Sequence, residues 1–317
     1  MRVAIVGAGG VGGLVGGLLA RAGTEVAILA RGAQLAAIRA DGLSVESPLG
    51  TFTVRPSASD DPEALGPADA VIVCVKAWQV AEIAPRLAPL LGRGGFAVPL
   101  QNGVEAAARL AAALGEERVV GGLTHVFAWI AAPGRAKHVG QVPRVTLGER
   151  GARAGQPSQR LEALAGALRA AGLDARIVDD VERATWEKFL LIDAFGSVCG
   201  AARAPIGVVR STPEARALLE RAMREVLAVA QARGVRLAES AIATALGWVD
   251  GAPAEATASM QRDLGAGRPS ELHDQTGAVV RLGREAGVPV PVHEVLYSAL
   301  IPQERAARGE LPRFDRS

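Results

Sequence analysis

The chain has 317 residues, of which 49% are hydrophobic and 21% charged, and its net charge is +2. That length accommodates two domains of ordinary size, each with its own core. The near-neutral balance and an aromatic content of 3% give no basis for a nucleic-acid or membrane partner.

Cys74 and Cys199 cannot build a disulfide framework and fit a reduced, cytoplasmic setting. His125, His138, His273 and His293 lack metal-ligand spacing, and neither CxxC nor HExxH occurs, so no metal is expected.

In chain order, "RVAIV" is the short β-branched run of a buried parallel strand. Val3 to Ala20 then carries no charge over eighteen positions, which could suit a signal peptide or membrane span. Seven of the eighteen are glycine, however, and they fall in a dinucleotide-binding pattern. Gly7, Gly9 and Gly12 form G-x-G-x-x-G: one glycine for a tight turn, one for close approach to a pyrophosphate, one for helix–strand packing. The stretch Gly7, Ala8, Gly9, Gly10, Val11 and Gly12 therefore reads as a phosphate cradle at a helix N-terminus.

A second strand, "EVAIL" (Glu25–Leu29), follows and ends in "ARG". The acid that would hold an NAD ribose is missing there, and Arg31 is placed for a 2′-phosphate, so NADPH/NADP+ is the expected cofactor. "AVIVCV" and "GFAVPLQNG" continue the α/β alternation, with a helix interrupted by Pro85 between them. Lys76 follows the former strand and Asn102 the latter, just ahead of a helix beginning near Val104. Residues 125–148 read as a hairpin turning at Pro133-Gly134, followed by a helix near 161–171 and the strand "ARIVD".

Beyond Asp179 the strand pattern stops, and helices are expected near 181–199, 213–233, 254–264, 270–286 and 292–308. The expected organisation is thus α/β: an N-terminal Rossmann-type dinucleotide-binding domain over 1–178, then an all-helical substrate domain over 179–317. In enzymes built this way substrate sits in the cleft between domains, facing the strand carboxyl ends.

Within the first of these helices, "WEKFLLIDAFGSVC" puts Lys188 on one face with Leu191, Ile192 and Phe195. Two readings are open: an ammonium snorkelling from an apolar stripe, or a working lysine at a cleft. Ser259 and Glu271 stand in the polar runs "TASMQRDL" and "RPSELHDQTG". Glu271 is expected in the first turn of a helix capped by Ser270, where a carboxylate suits the dipole.

Together these pieces resemble the ketopantoate reductase (2-dehydropantoate 2-reductase) family over nearly the whole chain. The resemblance rests on "GAGGVG", "KAWQ" at Lys76, "NGV" at Asn102, "LTH" at Thr124, "WEKF" at Lys188, and "SM" and "SELHDQTG" around Ser259 and Glu271. The eleven-residue step from Met260 to Glu271 matches the family's spacing. It implies an NADP-dependent oxidoreductase reducing the 2-keto group of ketopantoate to (R)-pantoate in pantothenate and coenzyme A biosynthesis. Carried over, Lys188 is the general acid, with Glu271 helping to keep it placed and binding a substrate hydroxyl or the cofactor. Asn102 sits where nicotinamide meets substrate, Ser259 helps hold the substrate carboxylate, and Lys76 lies near the cofactor.

The family also places asparagines around the substrate, and here those positions read Ile192, Gly196 and Ile206. The expected consequence is a roomier, more apolar pocket, with a bulkier or less hydroxylated 2-keto acid as the competing substrate. Asp193 could stand in for one amide only if the helix carried a bulge. A β-hydroxyacid dehydrogenase and a non-catalytic NADP-binding sensor or scaffold are the readings from other classes. Apolar helices in the second domain could supply a homodimer face.

Overall fold

The computed structural model describes residues 1–312; residues 313–317, the end of the expected second domain, lie outside the described residues. The chain divides into two units, one of Met1–Gln101 with Glu105–Glu182 and one of Asn102–Val104 with the residues from Arg183 on.

The first unit runs β1 (Arg2–Val6), α1 (Gly10–Arg21), β2 (Glu25–Leu29), α2 (Gly32–Asp41), β3 (Leu43–Ser47), β4 (Gly50–Val54), β5 (Ser57–Ser59) and α3 (Pro62–Leu65). It continues with β6 (Ala68–Val73), α4 (Val80–Ile83), β7 (Leu91–Pro99), α5 (Ala106–Leu114), β8 (Gly121–Ala132), β9 (Arg135–Gly148), α6 (Gln159–Ala170) and β10 (Asp174–Ile177). Strands β5-β2-β1-β6-β7 form one parallel sheet in that order. Its central strands are buried on both faces, as parallel strands under crossover helices must be. After α4 the chain tightens into a 3-10 segment, Ala84–Leu90, because Pro85 and Pro89 offer no N–H to an α-helix.

A second sheet departs from the simple hairpin expected. The β8–β9 hairpin is there, but β9 also pairs in parallel with β10 and β3, and β3 pairs antiparallel with β4. Helix α1 lies between the two sheets. A methyl group on Gly16 would meet Ile5 of one sheet at 3.0 Å; on Gly13 and Gly17 it would meet Ala136 at 2.9 Å and Val45 at 2.5 Å of the other. The glycine density that could pass for a leader segment thus reflects a helix packed on both faces. No helix among the described residues is long and apolar enough to cross a membrane.

The second unit is helical: α7 (Val181–Ala202) from Arg183 on, α8 (Ile206–Ser211), α9 (Pro213–Ala232), α10 (Ser240–Gly251), α11 (Ser259–Gly265), α12 (Thr276–Ala286) and α13 (Pro291–Ala307). Two helices start later than expected. Residues 254–258 are not helical because the carbonyls of Ala254 and Ala256 accept from Gly207 N (2.9 Å) and Ile206 N (3.0 Å), at the start of α8. Residues 270–275 form turns, held by the fully buried Ser270, whose N–H and Oγ–H donate to Glu304 at 2.9 and 2.6 Å.

Candidate active site

The first unit builds the glycine loop. β1 ends at Val6, and Gly7 turns the chain at φ +98°, a left-handed conformation open to glycine. A side chain there would also strike Val75, at 2.8 Å from Cγ1. Gly12 lets α1 close on the turn, since a methyl group would stand 2.0 Å from Gly7 O and 3.0 Å from Cys74 Cβ. Gly9 is the N-cap of α1, contributes no side-chain cap, and has open space over its Cα. The first turn of α1 carries no acid, and its amides lack acceptors within the helix. These features fit a dinucleotide pyrophosphate. Gly10 has a different reason to be glycine: a methyl group would lie 2.5 Å from the backbone of Ala128 and Trp129 on β8.

Arg31, the N-cap of α2, is exposed just beyond the end of β2. Lys76 is exposed after β6; its N–H donates to Gln79 Oε1 at 3.2 Å and its ammonium lies 5.7 Å from the Trp78 ring centroid. Cys74 and Cys199 are not poised nucleophiles, because burial pushes both thiols up to about 12.

The second unit builds a lysine centre. Lys188, partly buried on α7, donates from Nζ to Asn102 Oδ1 at 2.9 Å. The other end of that amide, Nδ2, donates to Glu271 Oε2 at 3.3 Å. Asn102 itself sits in a loop before α5, which begins only at Ala106. The next residue, Gly103 (φ +104°), packs so closely that a methyl group would be 3.0 Å from Asp274 O. Glu271 is buried and lies in the turn before α12, not in a first helical turn, and Ser270 does not cap it. Instead Ser270 Oγ accepts from Leu272 N at 3.2 Å while bonding Glu304. Buried Gln275 also donates to Glu271 Oε2, at 3.4 Å.

Electrostatics follow from this enclosure. Burial lowers Lys188 to about 8, and the Glu271 carboxylate opposes part of that fall. A lysine in that range gives up its proton far more readily than one in water. Ser259, at the start of α11, is partly exposed, and the adjoining Met260 lies beside α7.

The positions lacking asparagine fare differently from the roomy pocket expected. Over Gly196 the space is taken by Met260, whose Cε would lie 2.8 Å from an added methyl group. Ile206 is fully buried in the helical core. Only Ile192 keeps partial exposure. Asp193 cannot replace the missing amide: α7 carries no bulge, and Asp193 is fully buried against His293 and Thr276. From sequence, Asp193 enters only as a stand-in for an amide and His293 only as a candidate metal ligand, while Gln275 is not singled out and has one hint, the polar run "HDQTG" at the edge of an expected helix.

A glycine loop of this kind and a lysine with a lowered proton affinity are the equipment of an oxidoreductase that works with a nicotinamide cofactor. Comparison with known proteins narrows the class. Residues 3–151 match the family model described as Ketopantoate reductase PanE/ApbA, and residues 180–304 match its C-terminal counterpart. The chain belongs to the ketopantoate reductase family. It is 35% identical to a 2-dehydropantoate 2-reductase of Halobacterium salinarum, over 93% of this chain and 96% of that one. It is 31% identical to a 2-dehydropantoate 2-reductase of Mesorhizobium japonicum, over 98% and 99%. The crystal structure of a PanE/ApbA family ketopantoate reductase from Ralstonia eutropha JMP134 superposes with a TM-score of 0.88 at 33% identity, covering 97% of this chain and 100% of that one.

Proposed function

We propose that the protein is a 2-dehydropantoate 2-reductase that uses NADPH to reduce the 2-keto group of ketopantoate to (R)-pantoate. The observation that carries the reading is the hydrogen-bonded series Lys188–Asn102–Glu271, in a chain that matches named 2-dehydropantoate 2-reductases over nearly its full length.

The loop Gly7, Ala8, Gly9, Gly10, Val11 and Gly12 would hold the pyrophosphate and Arg31 the 2′-phosphate, with Lys76 near the cofactor. When bound, the reduced nicotinamide supplies a hydride. Lys188 donates to the ketone oxygen, stabilises the charge that grows there, and gives it a proton as the alkoxide forms. Asn102 orients the Nζ through its 2.9 Å hydrogen bond and would contribute its amide to nicotinamide and substrate. Glu271 keeps Lys188 charged by its carboxylate and receives a substrate hydroxyl or the cofactor. Ser259 holds the substrate carboxylate.

The test is NADPH oxidation followed by absorbance, with ketopantoate beside a panel of branched 2-keto acids. Ketopantoate as the best substrate supports the assignment, and ketopantoate among the worst overturns it. Loss of turnover in Lys188→Met with NADPH affinity kept separates an enzyme from a cofactor-binding scaffold.

A further inference from the structure

Asp193 follows Lys188 by five residues on α7 and is fully buried. Its Oδ2 lies 2.7 Å from Nε2 of the fully buried His293, and its Oδ1 accepts from Thr276 Oγ1 at 3.0 Å. On the other side of the ring, Nδ1 lies 2.6 Å from Glu225 Oε2. Glu225 also accepts from the N–H groups of Val292 (2.8 Å) and His293 (3.0 Å), at the start of α13. Both ring nitrogens face carboxylate oxygens, and an imidazole can donate from both only as the imidazolium.

Four helices therefore meet at one charge: α7 through Asp193, α9 through Glu225, α12 through Thr276 and α13 through His293. Such a buried group is poor evidence for stability, since an apolar replacement of the whole set is often no less stable. What it does impose is geometry, because each carboxylate is satisfied only at one spacing of the helices. Two of those helices matter for chemistry. Lys188 stands on α7, and Thr276 opens α12 directly after the turn that carries Glu271.

We propose that His293 is a positioning residue for the reduction: by holding Asp193, and through it Thr276, it fixes the spacing of Lys188 and Glu271. The proposal rests on Lys188 being the general acid. When the clamp is cut, the Glu271 turn drifts from α7 and the carboxylate supports the Lys188 ammonium less, while the Gly7–Gly12 loop is unaffected.

The experiment compares the full-length wild type with His293→Gln, Thr276→Val, Thr276→Ser and Lys188→Met, measuring NADPH oxidation with ketopantoate from pH 6 to pH 10. His293→Gln and Thr276→Val are expected to lower kcat by roughly ten- to a hundredfold, leave the KM for NADPH unchanged, and move the alkaline limb of kcat to lower pH. Thr276→Ser keeps the hydroxyl and is expected to restore both rate and limb. Wild-type kcat and limb in His293→Gln and Thr276→Val, with only the Tm lowered, would make the clamp purely structural and overturn the proposal. Should His293→Gln not fold, the Thr276→Val and Thr276→Ser pair decides alone. A wild-type rate in Lys188→Met would instead overturn the underlying reading of the lysine.

Discussion

Asn102 accepts a hydrogen bond from Lys188 at 2.9 Å across 86 residues of sequence. The same amide donates to Glu271, so one side chain aims the ammonium and senses the carboxylate. Asn102→Ala is expected to cut kcat by about tenfold to a hundredfold, because a misaimed acid loses most in the transition state. Asn102→Asp keeps the shape and adds a negative charge beside Lys188, so its alkaline limb should move to higher pH. Rates across pH for both variants check this, and identical limbs would remove Asn102 from the proton's surroundings.

A general acid works only while protonated. With Lys188 lowered to about 8 by burial, kcat for ketone reduction should fall as pH rises through that value. Since Glu271 raises the lysine, Glu271→Gln should bring the fall to lower pH. A flat profile between pH 6 and pH 10 would contradict the assignment.

His293 makes a separate prediction on stability. Burial alone would lower it, but the charges and hydrogen bonds of Asp193 and Glu225 outweigh burial and raise it from 6.5 to about 9. The folded state then holds a proton more tightly than the unfolded one. The resulting stability, on the order of 3 kcal/mol, is fully present below pH 6.5 and is lost as pH rises through 9. Lys188 acts in the opposite sense from about 8 to 10.5, so the comparison is best made in Lys188→Met. Its Tm should fall between pH 6.5 and 9.5, and adding His293→Gln should flatten that fall.

Arg31 tests the cofactor. A charge-assisted bond to a 2′-phosphate is worth about 1.5–3 kcal/mol, so Arg31→Ala should raise the KM for NADPH roughly ten- to a hundredfold and leave that for NADH unchanged. Equal effects on both would remove the phosphate role.

Gly9 and Gly12 separate binding from packing. Gly9→Ala has open space and should keep its Tm while weakening NADPH binding. Gly12→Ala drives a methyl group against Gly7 O and should cost about 3 kcal/mol, lowering Tm by roughly 6–12 °C.

Local signals carried far into this structure. Periodicity and turn residues located β2 at Glu25–Leu29, the glycine turn, and the long helix bearing Lys188. What stayed hidden depends on contacts distant in sequence. Nothing near Leu43 says that β3 will lie beside Arg135–Lys137, so the second sheet read only as a hairpin. Nothing near Asn102 says that residues 102–104 belong with the helical unit, while buried Gln101, one residue earlier, donates to Val73 O and Val75 O in the other. Glu271 read as helical because its turn is held by Glu304, a partner 33 residues downstream of it. The gaps at Gly196 and Ile206 read as pocket space because Met260 and the helical core that fill them come from elsewhere in the chain.

The glycine-lined contact of α1 with both sheets has a kinetic consequence. The peptide groups from Gly12 to Leu19 are walled off on two sides, so parting one sheet from the helix leaves the other still covering it. Their amide hydrogens should rank among the slowest in the first unit to exchange with deuterium, and should do so together, through opening of the whole unit rather than fraying of one layer.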